Sequence, residues 1–189
     1  MGQTPKLTIG DISLTEGSSG SNFATFTVSL NYPRTETISV HWATADSTAI
    51  AGSDYTSGSG TLTFNPGVMS KTITVAINTD TFNEINESFL INLDTVSNAV
   101  IVKSQARATI LDDDPQPNLS ISDASSNEGQ TGTSPYTTFT FLVGLSAPSG
   151  RTVSVRGATS DVTASSLVDP SADYVPWNGI INFLPGETS

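Results

Sequence analysis

Apolar and polar residues alternate with a period of two along most of this chain. Phe26, Val28 and Leu30 alternate with Thr27 and Ser29. Ile38, Val40 and Trp42 alternate with Ser39, His41 and Ala43, and Leu62 and Phe64 with Thr61 and Thr63. Ile73, Val75 and Ile77 follow the same rule, as do Phe89, Ile91 and Leu93. Successive side chains of an extended chain point to opposite faces, so the pattern predicts strands with one face on a core and one in water. Tyr32-Pro33, Ala51-Gly52-Ser53 and Asn65-Pro66-Gly67 punctuate them as turns. Helical periodicity is almost absent. Short strands at this spacing predict an all-β fold, an antiparallel immunoglobulin-like β-sandwich.

The chain repeats itself. Leu7-Thr8-Ile9-Gly10-Asp11 and Glu16-Gly17 recur as Leu119-Ser120-Ile121-Ser122-Asp123 and Glu128-Gly129. Ala43-Thr44-Ala45-Asp46 recurs as Ala158-Thr159-Ser160-Asp161, and Ser53-Asp54-Tyr55 as Ala172-Asp173-Tyr174. Gly60 to Gly67 recurs as Gly179 to Gly186. The offset widens along the chain, so the second copy carries inserted loop residues. The expected organisation is a complete sandwich over 7–114, a linker over 115–118 with Pro115 and Pro117, and the N-terminal part of a second sandwich over 119–189. The second copy has no counterpart of residues 71 to 114. The favoured expectation is that the natural protein continues; the open half also offers a surface for self-association.

Charge narrows the partners. Seven Lys and Arg stand against 18 Asp and Glu, a net charge of −11. That argues against nucleic acid and anionic membrane surfaces. Cysteine is absent, which removes disulfides, thiolate metal sites and a cysteine nucleophile. No apolar run approaches the roughly 20 residues of a spanning helix, so direct membrane insertion is not expected.

The acids are not spread evenly. Ile110-Leu111 runs straight into Asp112-Asp113-Asp114-Pro115. Three adjacent carboxylates at a strand end repel one another, and calcium, which takes roughly six to eight hard oxygen ligands, supplies the counter-charge. Glu16, Asp54, Asp80, Glu84 and Glu87 occupy loop positions that a sandwich can bring beside the triplet. Each has a plainer reading. The triplet suits a solvated linker, Glu16 an exposed turn, and Asp54 a loop where Asp bonds its own backbone. Asp80, Glu84 and Glu87 suit a solubilising loop face. Asp11, Asp46 and Asp94 read as structural. In the second copy only Glu128 and Asp173 remain as candidates. His41 lies on an outward face with nothing to suggest a triad, no aromatic groove accompanies the acids as a glycosidase would need, and no phosphate-binding glycine loop is present. No catalysis is expected.

These motifs in their order resemble tandem Calx-beta domains, the β-sandwich modules of sodium/calcium exchanger regulatory loops that also occur in integrin β4 and large bacterial surface proteins. The resemblance implies calcium bound at one end of the sandwich by loops and the acidic tail of the last strand. Carried over position by position, the metal residues are Glu16, Asp54, Asp80, Glu84, Glu87, Asp112, Asp113 and Asp114. The chain departs from the family at Asn78-Thr79-Asp80-Thr81, where one acid remains of a run, and at Ile85 and Asn86, where acids often stand. Fewer ions or weaker affinity follows, because ligand charge tunes affinity. The expected function is a calcium-binding module whose ions order loops and the inter-repeat hinge of a larger protein. The rival is a metal-independent structural or adhesive spacer for a protein or glycan partner. The family's distribution and the Thr/Ser/Asn-rich composition point to a bacterial cell surface, with a cytoplasmic exchanger loop the lesser expectation.

Overall fold

The computed structural model describes residues 3–127, 137–166 and 173–189. They fall into two compact units, Met1–Thr81 with Ile85–Asp114, and Phe82–Glu84 with Pro115–Ser189.

The first unit contains β1 (Lys6–Ile9), β2 (Ile12–Thr15), β3 (Asn22–Leu30), β4 (Ile38–Asp46), β5 (Ser59–Phe64), β6 (Ser70–Ile77), β7 (Glu87–Ser97), β8 (Val100–Ile101) and β9 (Gln105–Leu111). Among the described residues they make a sheet ordered β6-β3-β1-β8 and a second ordered β2-β9-β7-β4-β5. The inward members of the alternating pattern fill the space between. Leu7, Phe26, Val28, Ile73 and Val75 come from one sheet, and Ile38, Val40, Phe89, Ile91 and Ala108 from the other. Phe89 meets Phe26 edge-on at 6.0 Å between ring centres and stacks on Tyr55 at 4.2 Å.

Two pairings depart from the antiparallel expectation. β1 runs parallel to β8, and β2 runs parallel to β9. The cause is a break at Gly10-Asp11, where the first strand leaves one sheet and joins the other. Asp11 fixes the crossing, because its Oδ1 accepts from Lys103 Nζ at 2.8 Å and from the Arg107 N–H at 2.9 Å. Those bonds, the lysine's first, hold its carboxyl below the ordinary range. The β4–β7 register also slips at Val40/His41 and skips Thr95, which sits at a φ of +41°. This is a β-bulge, and it turns β7 without breaking the sheet.

The second unit contains β10 (Leu119–Ile121), β11 (Val143–Leu145), β12 (Val153–Ala158) and β13 (Asn178–Phe183). β10 pairs with β11 and β12 with β13, both antiparallel. Leu119, Ile121 and Phe141, the repeat equivalents of the buried Leu7, Ile9 and Phe26, are exposed here.

One indole-over-glycine patch is built in both units from opposite strands, and in the first unit its Trp42 packs against the core. In the first, Trp42 of β4 lies over Gly58 and Gly60: a Cβ at either glycine would stand 3.3 or 3.2 Å from the indole. In the second, Trp177 precedes β13 and lies over Gly157 of β12 and Gly179, where a Cβ would stand 2.8 or 2.7 Å away. The surrounding hydrogen bonds are the same. Thr44 N–H donates to the Gly58 carbonyl at 2.8 Å and Gly58 N–H to Thr44 Oγ1 at 2.9 Å. Thr159 N–H donates to the Trp177 carbonyl at 2.8 Å and Trp177 N–H to Thr159 Oγ1 at 2.8 Å.

The aromatic contact between the sheets gives a direct test. Phe89→Ala removes a fully buried ring that no neighbour can replace, and denaturant unfolding is expected to show a loss of about 3–5 kcal/mol.

Candidate functional site

The end of β9 gathers acids because of what its sheet neighbours are. On one side β2 ends with Thr15 opposite Leu111, and the Glu16 N–H continues the pairing to the Leu111 carbonyl at 2.8 Å. The chain then turns at Gly17, whose φ of +81° is a left-handed conformation that favours glycine. This turn faces the acidic tail. Gly17 N–H donates to Asp113 Oδ1 at 2.9 Å, and Ser18 Oγ donates to Asp114 Oδ1 at 3.0 Å. On the other side β7 begins at Glu87, opposite Ile110, and Asn86 Oδ1 accepts the Asp112 N–H at 3.0 Å. Glu16 is 6% exposed and Asp114 8%, so two carboxylates at this end have been taken out of water.

Asp80 and Asp54 lie in adjoining loops. Thr79, beside Asp80, donates through Oγ1 to the Gly20 carbonyl at 3.3 Å. Asn22 Nδ2 reaches the carbonyls of Thr15 and Glu16 at 2.6 and 2.8 Å. Asn78 Nδ2 donates to the carbonyls of Gly52 and Ser53 at 3.0 and 2.6 Å, which ties the loop holding Asp54 to the same end. Asp54 itself accepts the Ile50 N–H on Oδ2 at 2.5 Å, so it staples its own loop. Asp173 repeats this in the second unit by accepting the Ser165 N–H at 2.7 Å. Glu84 groups with Phe82 and Asn83 in the second unit. Glu128 lies outside the described residues.

Asp46 and Tyr55 form the second staple of that loop. Asp46 Oδ1 accepts from Tyr55 Oη at 2.6 Å and from the Ala51 N–H at 2.9 Å. The tyrosine bond and then the backbone bond hold the Asp46 carboxyl below its usual range. Burial first, and the Asp46 carboxylate second, push the Tyr55 phenol up to about 12. Asp161 and Tyr174 repeat the pair at 2.5 Å. On the outer face, His41 Nδ1 lies 3.0 Å from Asp94 Oδ1.

The donor set at the β9 end is all hard oxygen, which suits calcium rather than a soft or nitrogen-seeking metal. Among the described residues, no three Asp, Glu or His side chains stand close enough to make a ready metal cage. Sequence reasoning passed over Ser18, Asn22 and Asn86, which organise the acids. Asn86 was visible only as a departure from an acidic family position, and Ser18 carries no local signal at all.

Such a sandwich, with acids collected by loops at one end of two packed sheets, defines a modular β-sandwich domain. The Calx-beta domain family model matches residues 11–114 and 129–189, and the chain belongs to that family. Sodium/calcium exchanger 1 of dog (Canis lupus familiaris) and of rat (Rattus norvegicus) are each 45% identical over 62 residues. That match takes in 33% of this chain, and the chain spans only 6% of the length of these curated relatives. Among solved structures, the apo form of the Calx CBD1 domain is 26% identical with a TM-score of 0.50, covering 59% of this chain and 100% of that one. The CBD12 structure from CALX1.2 covers 97% of this chain and 73% of its own, with a TM-score of 0.55 and 21% identity, and so supports the tandem fold.

The Asp46–Tyr55 staple predicts an acid-sensitive contribution to stability. The folded pKa of Asp46 is depressed, so its stabilisation is present above the ordinary value of 3.8 and fades as pH falls through the folded value. Asp46→Asn is expected to lower stability at neutral pH and to flatten the acid limb of a urea-unfolding profile taken down to about pH 2.

Proposed function

We propose that the β9 end of the first unit binds calcium, and that the ion orders the loops meeting there. The observation that carries this reading is the acidic tail held against the Glu16–Ser18 turn with Glu16 and Asp114 both buried. Asp112, Asp113, Asp114, Glu16 and Glu87 would hold the ion, with Asp80 contributing from the adjoining loop. Asp54, already turned onto its own backbone, and Glu84 are the secondary candidates. Calcium would supply positive charge that offsets the repulsion of the tail carboxylates. Pro115 follows Asp114 directly, so ordering the tail would also stiffen the connection to the second repeat. The reading makes the chain a non-catalytic regulatory or structural module of a larger protein, at a bacterial cell surface on the grounds of composition and family distribution.

A second reading has its own support. Asp113 and Asp114 already accept protein N–H and O–H donors, and the Asp112 backbone is held by Asn86. A metal-independent spacer that binds a protein or glycan partner would use this hydrogen-bonded end as it stands.

A calcium titration separates the two. Thermal melts of chelator-treated protein, from micromolar to ten-millimolar calcium with magnesium as the control, are expected to show a saturable, calcium-specific rise. At a hundredfold excess over Kd the gain is about 2.7 kcal/mol. Asp113→Asn is expected to abolish it. No shift, or equal shifts with both ions, would overturn calcium binding and favour the spacer.

A further inference from the structure

Tandem repeats of similar sequence face a hazard that single domains do not, because a strand of one copy can pair with the complementary strand of the other. Here the pairing signals of the two copies are nearly interchangeable. The Thr44 bonds to Gly58 and the Thr159 bonds to Trp177 are the same set at the same register. The loop staples Asp46–Tyr55 and Asp161–Tyr174 are likewise the same. Both strand pairs are antiparallel and end on a buried phenylalanine, Phe64 or Phe183.

One feature differs in kind. The patch beside the threonine is filled by a single indole over two glycines in each unit, but the indole comes from opposite partners. In the first unit β4 supplies Trp42, and Gly58 and Gly60 receive it. In the second, β12 supplies Gly157, and the stretch entering β13 supplies Trp177 and Gly179. We propose that this reversed placement is a pairing code that keeps the strands of the two repeats from exchanging. If β4 paired with β13, Trp42 and Trp177 would claim one patch. Each correct patch already leaves so little room that even a Cβ on a glycine would meet the indole at 2.7–3.3 Å. If β12 paired with β5, Gly157, Gly58 and Gly60 would meet with no indole between them, leaving apolar surface uncovered and three residues of maximal backbone freedom in one place. Both wrong pairings are penalised, and neither correct one is. Specificity comes from building a clash and a void against the competitor, with the same contacts in each right pair.

The test uses the full chain. Trp42→Gly with Gly58→Trp gives both repeats the polarity of the second unit, and Gly157→Trp with Trp177→Gly gives both the polarity of the first. Combining all four substitutions reverses both copies and restores the difference between them. Each protein is refolded from denaturant across a range of concentrations. Native monomer is scored by size exclusion and limited proteolysis. The two same-polarity variants are expected to yield more misassembled and dimeric product, by roughly tenfold if one over-packed patch is the barrier, and the four-fold variant to return to the wild-type yield. Equal yields from all four proteins would overturn the proposal. A four-fold variant as poor as the two-fold ones would also overturn it, because the loss would then reflect local packing at the patch.

Discussion

The break in the first strand is the constraint from which the rest of the first unit follows. Had residues 6–15 stayed in one sheet, the other sheet would lack its outer strand and Glu16 would sit on the wrong layer. The chain instead crosses at Gly10-Asp11, and β2 lies parallel along β9. That one pairing covers the edge of β9 and carries the Glu16–Ser18 turn to the acidic tail. The crossing is tied down by a single side chain, Asp11, which takes one bond from the backbone of β9 and another from Lys103 just before it. A buried aromatic contact between Phe26 and Phe89 then clamps the layers, and Tyr55 extends it toward the loops.

The strands were legible because burial has a period, and the period is written in the residues. Val28, Val40, Ile73, Ile91 and Ala108 all face inward as alternation requires. Parallel pairing was not read from the sequence, although Ile12 and Leu14 fall one position out of phase with Leu7 and Ile9, and that slip at Gly10-Asp11 is the local mark of the change of sheet. The gathering of Glu16 with Asp112, Asp113 and Asp114 came from resemblance, and the reason was out of reach of sequence: it depends on Thr15 and Leu111 being neighbours across 96 residues of chain that hydrogen bonds such as Gly17–Asp113 span. Asp46 and Asp54 show the opposite case. Asp46 closes β4 and Asp54 lies in the loop after it; Asp54 is turned onto that loop by a backbone bond common to Asp in turns, and Asp46 by bonds from the Ala51 N–H and Tyr55 Oη.

The neutral residues of the acidic end change its physics. In a cluster made of carboxylates alone, ionisation would drive the loops apart. Here Gly17 N–H, Ser18 Oγ and the amides of Asn22 and Asn86 are interleaved with the acids, and each bond to a charged oxygen is stronger than one between neutral groups. The family departures at Asn78 and Asn86 therefore do more than dilute charge. Asn78 donates to the Gly52 and Ser53 carbonyls, which a carboxylate there could only repel, and Asn86 accepts the Asp112 N–H without adding a charge.

The doubled loop staple sets which part of each repeat is free to change. Tyr55 lies 9 residues from Asp46 in the first copy, and Tyr174 lies 13 from Asp161 in the second, yet the bond is the same. The spacing from the aspartate to its first backbone donor stays at 5 in both, so the added residues all lie beyond that point. Lengthening a loop whose ends are already pinned costs only a slowly growing closure entropy. The segment between the staples can thus acquire new sequence while the sheet beneath it keeps its register. In a chain of many such repeats, each copy would present a different loop on an unchanged frame, and the array could diversify its contacts one module at a time.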